Sequence, residues 1–165
     1  MTSPATTDPL RRQLRALLTR PQAHLTLEGV AQGYPLDRIN TTLPGLPYTA
    51  WALLEHLRFT QRDILNFVRE GAAYRAPEWP REYWPAQQPG DRSSWQASLQ
   101  QVQADLEALL ALMDDPGRDL HAPVEGGDGQ TLLCELLLVA DHTSYHLGQL
   151  ELLKRLLTET KRQQA

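Results

Sequence analysis

The sequence predicts an all-α fold, a four-helix bundle with long crossover connections. Four segments repeat apolar residues at alternating steps of three and four, which marks one buried helix face in each. No segment shows the period-two alternation of a half-buried strand, and no internal repeat is present. The stretches between the helical segments are dense in glycine and proline and long enough to cross the bundle, so sequence neighbours can run parallel as well as antiparallel.

The first helix starts at Pro9, with Thr7 or Asp8 as its cap, because a side-chain oxygen accepts from an orphan amide while proline has none to satisfy. Leu10, Leu14, Leu17 and Leu18 form its stripe, and Pro21 closes it near Arg20. From Gln22 to Pro47, Gly29, Gly33, Pro35, Pro44 and Gly45 leave room only for a helical turn around residues 27–32. The second helix runs from Tyr48 to Glu70, with Ala52, Leu53, His56, Phe59, Ile64 and Phe67 on one face and Gly71 as its stop.

Residues 77–85, Pro-Glu-Trp-Pro-Arg-Glu-Tyr-Trp-Pro, set three aromatics among three prolines. That composition forbids helix and suits an ordered loop covering a surface or a pocket mouth. Ser93 followed by Gln96 reads as a capping box for a third helix, whose stripe is Leu99, Val102, Leu106, Leu109 and Met113 and whose end is Asp115-Pro116-Gly117. After Gly126, Gly127 and Gly129 comes the fourth and longest helix, residues 130–158, with Leu132, Leu136, Val139, Leu150, Leu153 and Leu157 as its core stripe.

A chain of 165 residues can bury a proper core, and one domain over residues 1–165 is expected. A net charge of -4, from 16 basic and 20 acidic residues, gives no basic face for nucleic acid. Cys134 is the only cysteine, so no intrachain disulfide forms, as suits a reducing compartment. Met1 to Asp8 carry no apolar segment of a secretory signal, and the longest apolar run, Leu136 to Ala140, is far below the ~20 residues needed to cross a bilayer. The expectation is a cytoplasmic protein with no membrane partner. Cys134 itself reads as a small core or interface residue, and Gly148, on the back of the fourth helix, as a point of close approach for another helix or simply a tolerated glycine.

Chemistry concentrates in the histidines. Residues four apart in a helix sit roughly 40° from each other, so His142 and His146 project from one face, one turn apart. Continuing the leucine stripe of the fourth helix places both inside it, and His56 falls on the apolar face of the second helix. Two imidazoles in a leucine layer leave polar atoms to satisfy, and a shared cation satisfies both. Neutral imidazole is the commonest metal ligand, and three nitrogens with an open position make a catalytic site for a divalent ion. Each histidine could instead be a hydrogen-bonded core residue. Asp63, seven residues after His56, and Glu135, seven before His142, could orient a ligand imidazole or act as a general base; a plain interhelical hydrogen bond is the alternative for both. Gln149, on the edge of the same face, could touch a substrate or make an interhelical bond. His24 and His121 lie in linkers and need no special role.

Two segments carry a family resemblance: Pro-Tyr-Thr-Ala-Trp-Ala-Leu-Leu-Glu-His-Leu at 47–57 and Ala-Asp-His-Thr-Ser-Tyr-His-Leu-Gly-Gln-Leu at 140–150. The chain resembles the DinB-like, YfiT-like superfamily in these and over nearly its whole length, and the aromatic loop at 79–85 is similar to loops in members with the Leu-Leu-Glu-His-Leu signature. The resemblance implies up-down-down-up topology, a site for nickel, zinc or a similar ion on His56, His142 and His146, and frequent homodimers. It also implies a spread of functions, from S-transferases using a small thiol such as bacillithiol or mycothiol to suspected hydrolases.

The expected function is a metal-dependent enzyme, of thiol-dependent S-transferase or hydrolase type, acting on a small-molecule substrate with a low-molecular-weight thiol as one cosubstrate option. The alternative is a non-enzymatic metal-binding bundle, a stress-related interaction or sensing module that offers the 79–84 loop or a helix face to a protein. An enzyme keeps an open coordination position, whereas a structural site is closed by a fourth protein ligand.

Overall fold

A computed structural model describes residues 8–84 and 88–163. Thr7, the remainder of the segment read for a targeting signal, and Pro85 of the aromatic loop lie outside the described residues. Those residues form α1 (Pro9–Thr19), α2 (Leu27–Ala31), α3 (Ala50–Glu70), a 3-10 turn (Gly71–Ala73), α4 (Arg92–Asp114) and α5 (Leu132–Gln163), with no strand among them. The fold is an all-α bundle of four long helices, with α2 as the short turn foreseen in the first crossover.

Side-chain pairing fixes the helix directions. Glu55, Gln61 and Arg62 of α3 bond to Ser98, Val102 and Asp105 of α4, both series rising together, so α3 and α4 are parallel. His56 meets His142, while Asp63 bears electrostatically on Glu135, so α3 and α5 are antiparallel. Arg11 reaches the Arg118 carbonyl and Arg15 pairs with Asp114, which sets α1 antiparallel to α4. The order is up, down, down, up. The parallel α3–α4 pair is what the long connection through residues 74–91 makes feasible.

Local signals start and stop these helices. Asp8 accepts from the Leu10 amide at 2.9 Å, Thr26 from Gly29 and Thr49 from Ala52, each cap contributing about 1 kcal/mol. The third long helix departs from expectation. Its capping box is Asp91 with Ser94, each side chain bonded to the other's amide, two residues earlier than Ser93 with Gln96. A short carboxylate reaches the exposed amides at a helix start more directly than Ser93, which falls inside the first turn. Thr131 opens α5, its hydroxyl accepting from Cys134 and its carbonyl from Glu135. At Gly71, φ is 53°, a conformation that glycine adopts without the Cβ clash of other residues.

The core falls into two clusters. One gathers Ile39, Leu53, Leu54, Trp95, Leu150 and Leu153, and the other Leu14, Leu65, Leu109, Met113, Leu132 and Leu136. All six stripe leucines and valines of α5 are buried as expected. Cys134 and Gly148, by contrast, are exposed on α5: the cysteine is not a core residue, and a Cβ on Gly148 would meet no other part of this chain. Among the described residues, no helix is long and apolar enough to cross a membrane.

Candidate metal centre

Antiparallel packing of α3 on α5 brings His56, His142 and His146 together, with one nitrogen of each within 4.8 Å of the other two. His56 and His146 are buried and His142 is partly so. The closest approach is between the Nε2 atoms of His56 and His142, at 3.1 Å. No fourth histidine, cysteine or carboxylate joins the group among the described residues.

What surrounds the rings decides where their protons sit. His56 Nδ1 lies 2.6 Å from the Tyr83 carbonyl, which only accepts, so Nδ1–H donates there and Nε2 is left with its lone pair. His146 Nδ1 donates in the same way to Gln149 Oε1 at 2.6 Å. The Thr60 hydroxyl donates to the His56 carbonyl at 2.8 Å and turns a lone pair toward His142 Nδ1, 3.4 Å away. These tautomers, assigned from the partners, aim Nε2 lone pairs inward from α3 and α5. Lone pairs facing each other at such range repel, and a cation between them removes the repulsion, so the donor set fits a divalent ion.

Burial reinforces this state. It lowers the basicity of His142, with the neighbouring His146 and His56 adding to the effect, to a pKa of about 4. Burial likewise depresses His56 and His146, against the opposing bonds to Tyr83 and Gln149. All three are therefore neutral at pH 7, as ligation requires.

An aromatic wall closes one side. Trp84 stacks on His56 with centroids 4.1 Å apart and planes 6° from parallel, and Tyr48 stacks on Trp84 at 5.7 Å. Tyr145 meets His146 edge-on at 4.9 Å. The loop at 77–84 packs on the cluster through Tyr83 and Trp84, while Trp79 is exposed.

The carboxylates take different places. Asp63 touches none of the imidazoles; it accepts the Tyr74 and Tyr83 hydroxyls, each at 2.6 Å. It thereby anchors the residue whose carbonyl holds His56. Glu135 is buried, and burial, followed by the charge of Asp63, raises its pKa above the ordinary carboxyl value. Gln149 is committed to His146. His24 bonds to Ser144 and His121 is exposed, both away from the cluster. Sequence reasoning missed Thr60, although it lies one turn after His56 on the same face. It also missed Tyr83, whose contribution is a backbone carbonyl and leaves no residue-type signal.

Among known proteins, the model of the DinB superfamily matches residues 10–150. No curated protein and no solved structure matches the chain.

Proposed function

The chain belongs to the DinB superfamily, and on that premise we propose that it is a metal-dependent enzyme of the cytoplasm acting on a small molecule, with His56, His142 and His146 as the ligands of one nickel or zinc ion. The observation that carries the reading is the set of Nδ1 partners, Tyr83, Gln149 and Thr60, which together direct the free nitrogens to one point. Such an ion, when bound, supplies Lewis-acid activation of a water or of a small thiol. A ligand set of three neutral side chains, joined by no fourth histidine, cysteine or carboxylate among the described residues, supports an open position, and so an enzyme rather than a closed structural or sensing site.

The protein's own groups have separable tasks in this reading. Gln149 and the Tyr83 carbonyl orient His146 and His56, and Asp63 is a positioning residue that works through Tyr83. Glu135, buried two turns before His142 with its pKa raised by burial and then by Asp63, is the proposed proton-transfer residue of this reading. Trp84 and Tyr48 exclude water from one side. Between thiol-dependent S-transfer and hydrolysis, a depressed imidazole basicity supports either, so the reaction is assigned by assay. Leu137, Leu138, Tyr145 and Leu152, exposed on α5 around Gly148, support a homodimer formed through that face.

The test is elemental analysis of purified protein beside a His142→Ala variant, followed by activity screening with low-molecular-weight thiols and with ester or amide substrates. About one equivalent of nickel or zinc is expected in the parent and little in the variant. Equal metal content in the two would overturn the site, and metal without any turnover would return the non-enzymatic reading.

A further inference from the structure

The two core clusters do not meet everywhere. Between them lies a cavity of about 530 Å³, within the size range of small-molecule sites and lined by Leu17, Leu27, Leu99, Val102, Val139 and Leu147. Its walls come from both clusters: Leu147 belongs to one and Val139 to the other, with Leu99 packed against the first and Leu18 and Leu106 against the second. It is separate from the histidine cluster, because His142 and His146 look toward α3 while Thr143 and Leu147 of the same helix line this space. Leu17, Leu25 and His24 of its lining are exposed, so the cavity opens to the surface beside α1.

One polar side chain in its lining stands out. Gln61 is only 6% exposed, and its Nε2 donates to the Val102 carbonyl at 2.6 Å. Its Oε1 accepts no hydrogen bond among the described residues, yet it is not sealed from solvent-sized space. An amide oxygen that faces accessible space with no protein donor takes its hydrogen bond from water, or from a ligand hydroxyl that displaces that water. The Thr143 hydroxyl is a second polar group in the lining. The charged residues there, Arg20, Glu28 and Glu107, are all exposed and so form the rim rather than the interior. At the mouth, His24 Nε2 lies 2.8 Å from Ser144 Oγ and ties the segment after α1 to α5.

We infer that this cavity is a second binding site, for an uncharged molecule with an apolar body and a single hydroxyl that donates to Gln61 Oε1. An alkyl or ring body matches the leucine and valine walls, and the absence of interior charge excludes an ionised ligand, whose desolvation nothing inside would offset. The site is independent of the metal-centre reading.

The probes are 1-octanol and its methyl ether, equal in apolar body but with and without a donor, titrated calorimetrically into the full chain. Saturable binding of 1-octanol at one site is expected, about tenfold tighter than that of the ether, the usual effect of one net hydrogen bond. Gln61→Leu should remove that difference, Val139→Phe, which puts a ring into the cavity, should weaken both, and His142→Ala should leave both unchanged. Absence of saturable 1-octanol binding, or equal affinities for the two probes in the parent protein, overturns the inference. So does loss of binding in His142→Ala, which would place the probe at the histidines. Should Gln61→Leu or Val139→Phe lose helical circular dichroism, the comparison of the two probes on the parent chain decides alone.

Discussion

Tyr83 is bonded to Asp63 through its hydroxyl, at 2.6 Å, and the carbonyl of the same tyrosine accepts from His56 at 2.6 Å. A carboxylate on α3 thus governs an imidazole two turns away on its own helix by way of a loop residue. Orientation of a ligand ring by an outer partner commonly changes metal affinity 10–100-fold.

Asp63→Ala is accordingly expected to weaken nickel or zinc binding by about 10–100-fold without removing any ligand. Glu135→Gln should leave affinity nearly unchanged while lowering any turnover. Competition with a chromogenic chelator measures the first and the activity assay the second; an Asp63→Ala protein with parental affinity would show that the tyrosine link is idle.

Acid should destabilise the metal-free protein earlier than its carboxylates require. The three histidines hold fewer protons in the fold than in the unfolded chain, because their folded pKa values are depressed, that of His142 to about 4. Stability therefore falls as pH drops from about 6.5 toward 4. The Glu55 carboxyl, which burial tends to raise but the bonds from Arg58 and Ser98 hold low, adds its loss only below its ordinary value of 4.5. Urea unfolding in chelator at several pH values should show the upper window flattened in His142→Asn.

Alkali probes the opposite sign. Burial and the bond to Asp63 push Tyr83 up to about 12, and burial first of all raises Tyr34 and Tyr74. These phenols stay protonated when the unfolded chain, with a pKa near 10, has begun to ionise, so their stabilisation is complete below pH 10 and declines above it. Phenolate absorbance should lag well behind that of the urea-unfolded protein; coincident titration curves would contradict the buried hydroxyl network.

Gly90 is closed to any larger residue. A Cβ there would fall 2.3 Å from the buried Trp51 ring, and Asn40 brackets the same residue with bonds to its amide and carbonyl. Gly90→Ala is expected to cost about 1–3 kcal/mol, whereas Gly148→Ala, which meets no other part of this chain, should gain up to about 1 kcal/mol in the monomer and lose that gain where a dimer forms through its face. Thermal unfolding of both variants checks the pair, and a Gly90→Ala protein as stable as the parent would mean that Trp51 can move aside.

Much of this architecture could be read in the residues. The leucine stripes of α4 and α5 gave their faces because apolar residues recurring every three to four positions mark the buried side, even with Leu137, Leu138 and Leu152 exposed on the other, and the same stripe showed that His142 and His146 point inward. The start of α4 was misplaced because Ser93-x-x-Gln96 satisfies the same pattern as the Asp91 and Ser94 pair, and pattern alone does not rank two adjacent caps. Gln149 was on the right face, but only coordinates reveal that it bonds His146, three residues back, rather than facing outward. The roles of Tyr83 and Thr60 depend on backbone carbonyls and loop packing, which are set by the whole fold rather than by local spacing.

The separation of His56 from His142 along the chain, 86 residues, has a consequence for folding. An ion gripped by both would act as a cross-link between distant points, much as a disulfide does. By the chain-entropy relation, closing a loop of that length removes about 4–5 kcal/mol of freedom from the unfolded chain. Chelation would then loosen the whole bundle and not just its centre, and the loaded protein should withstand proteases that cut the stripped one.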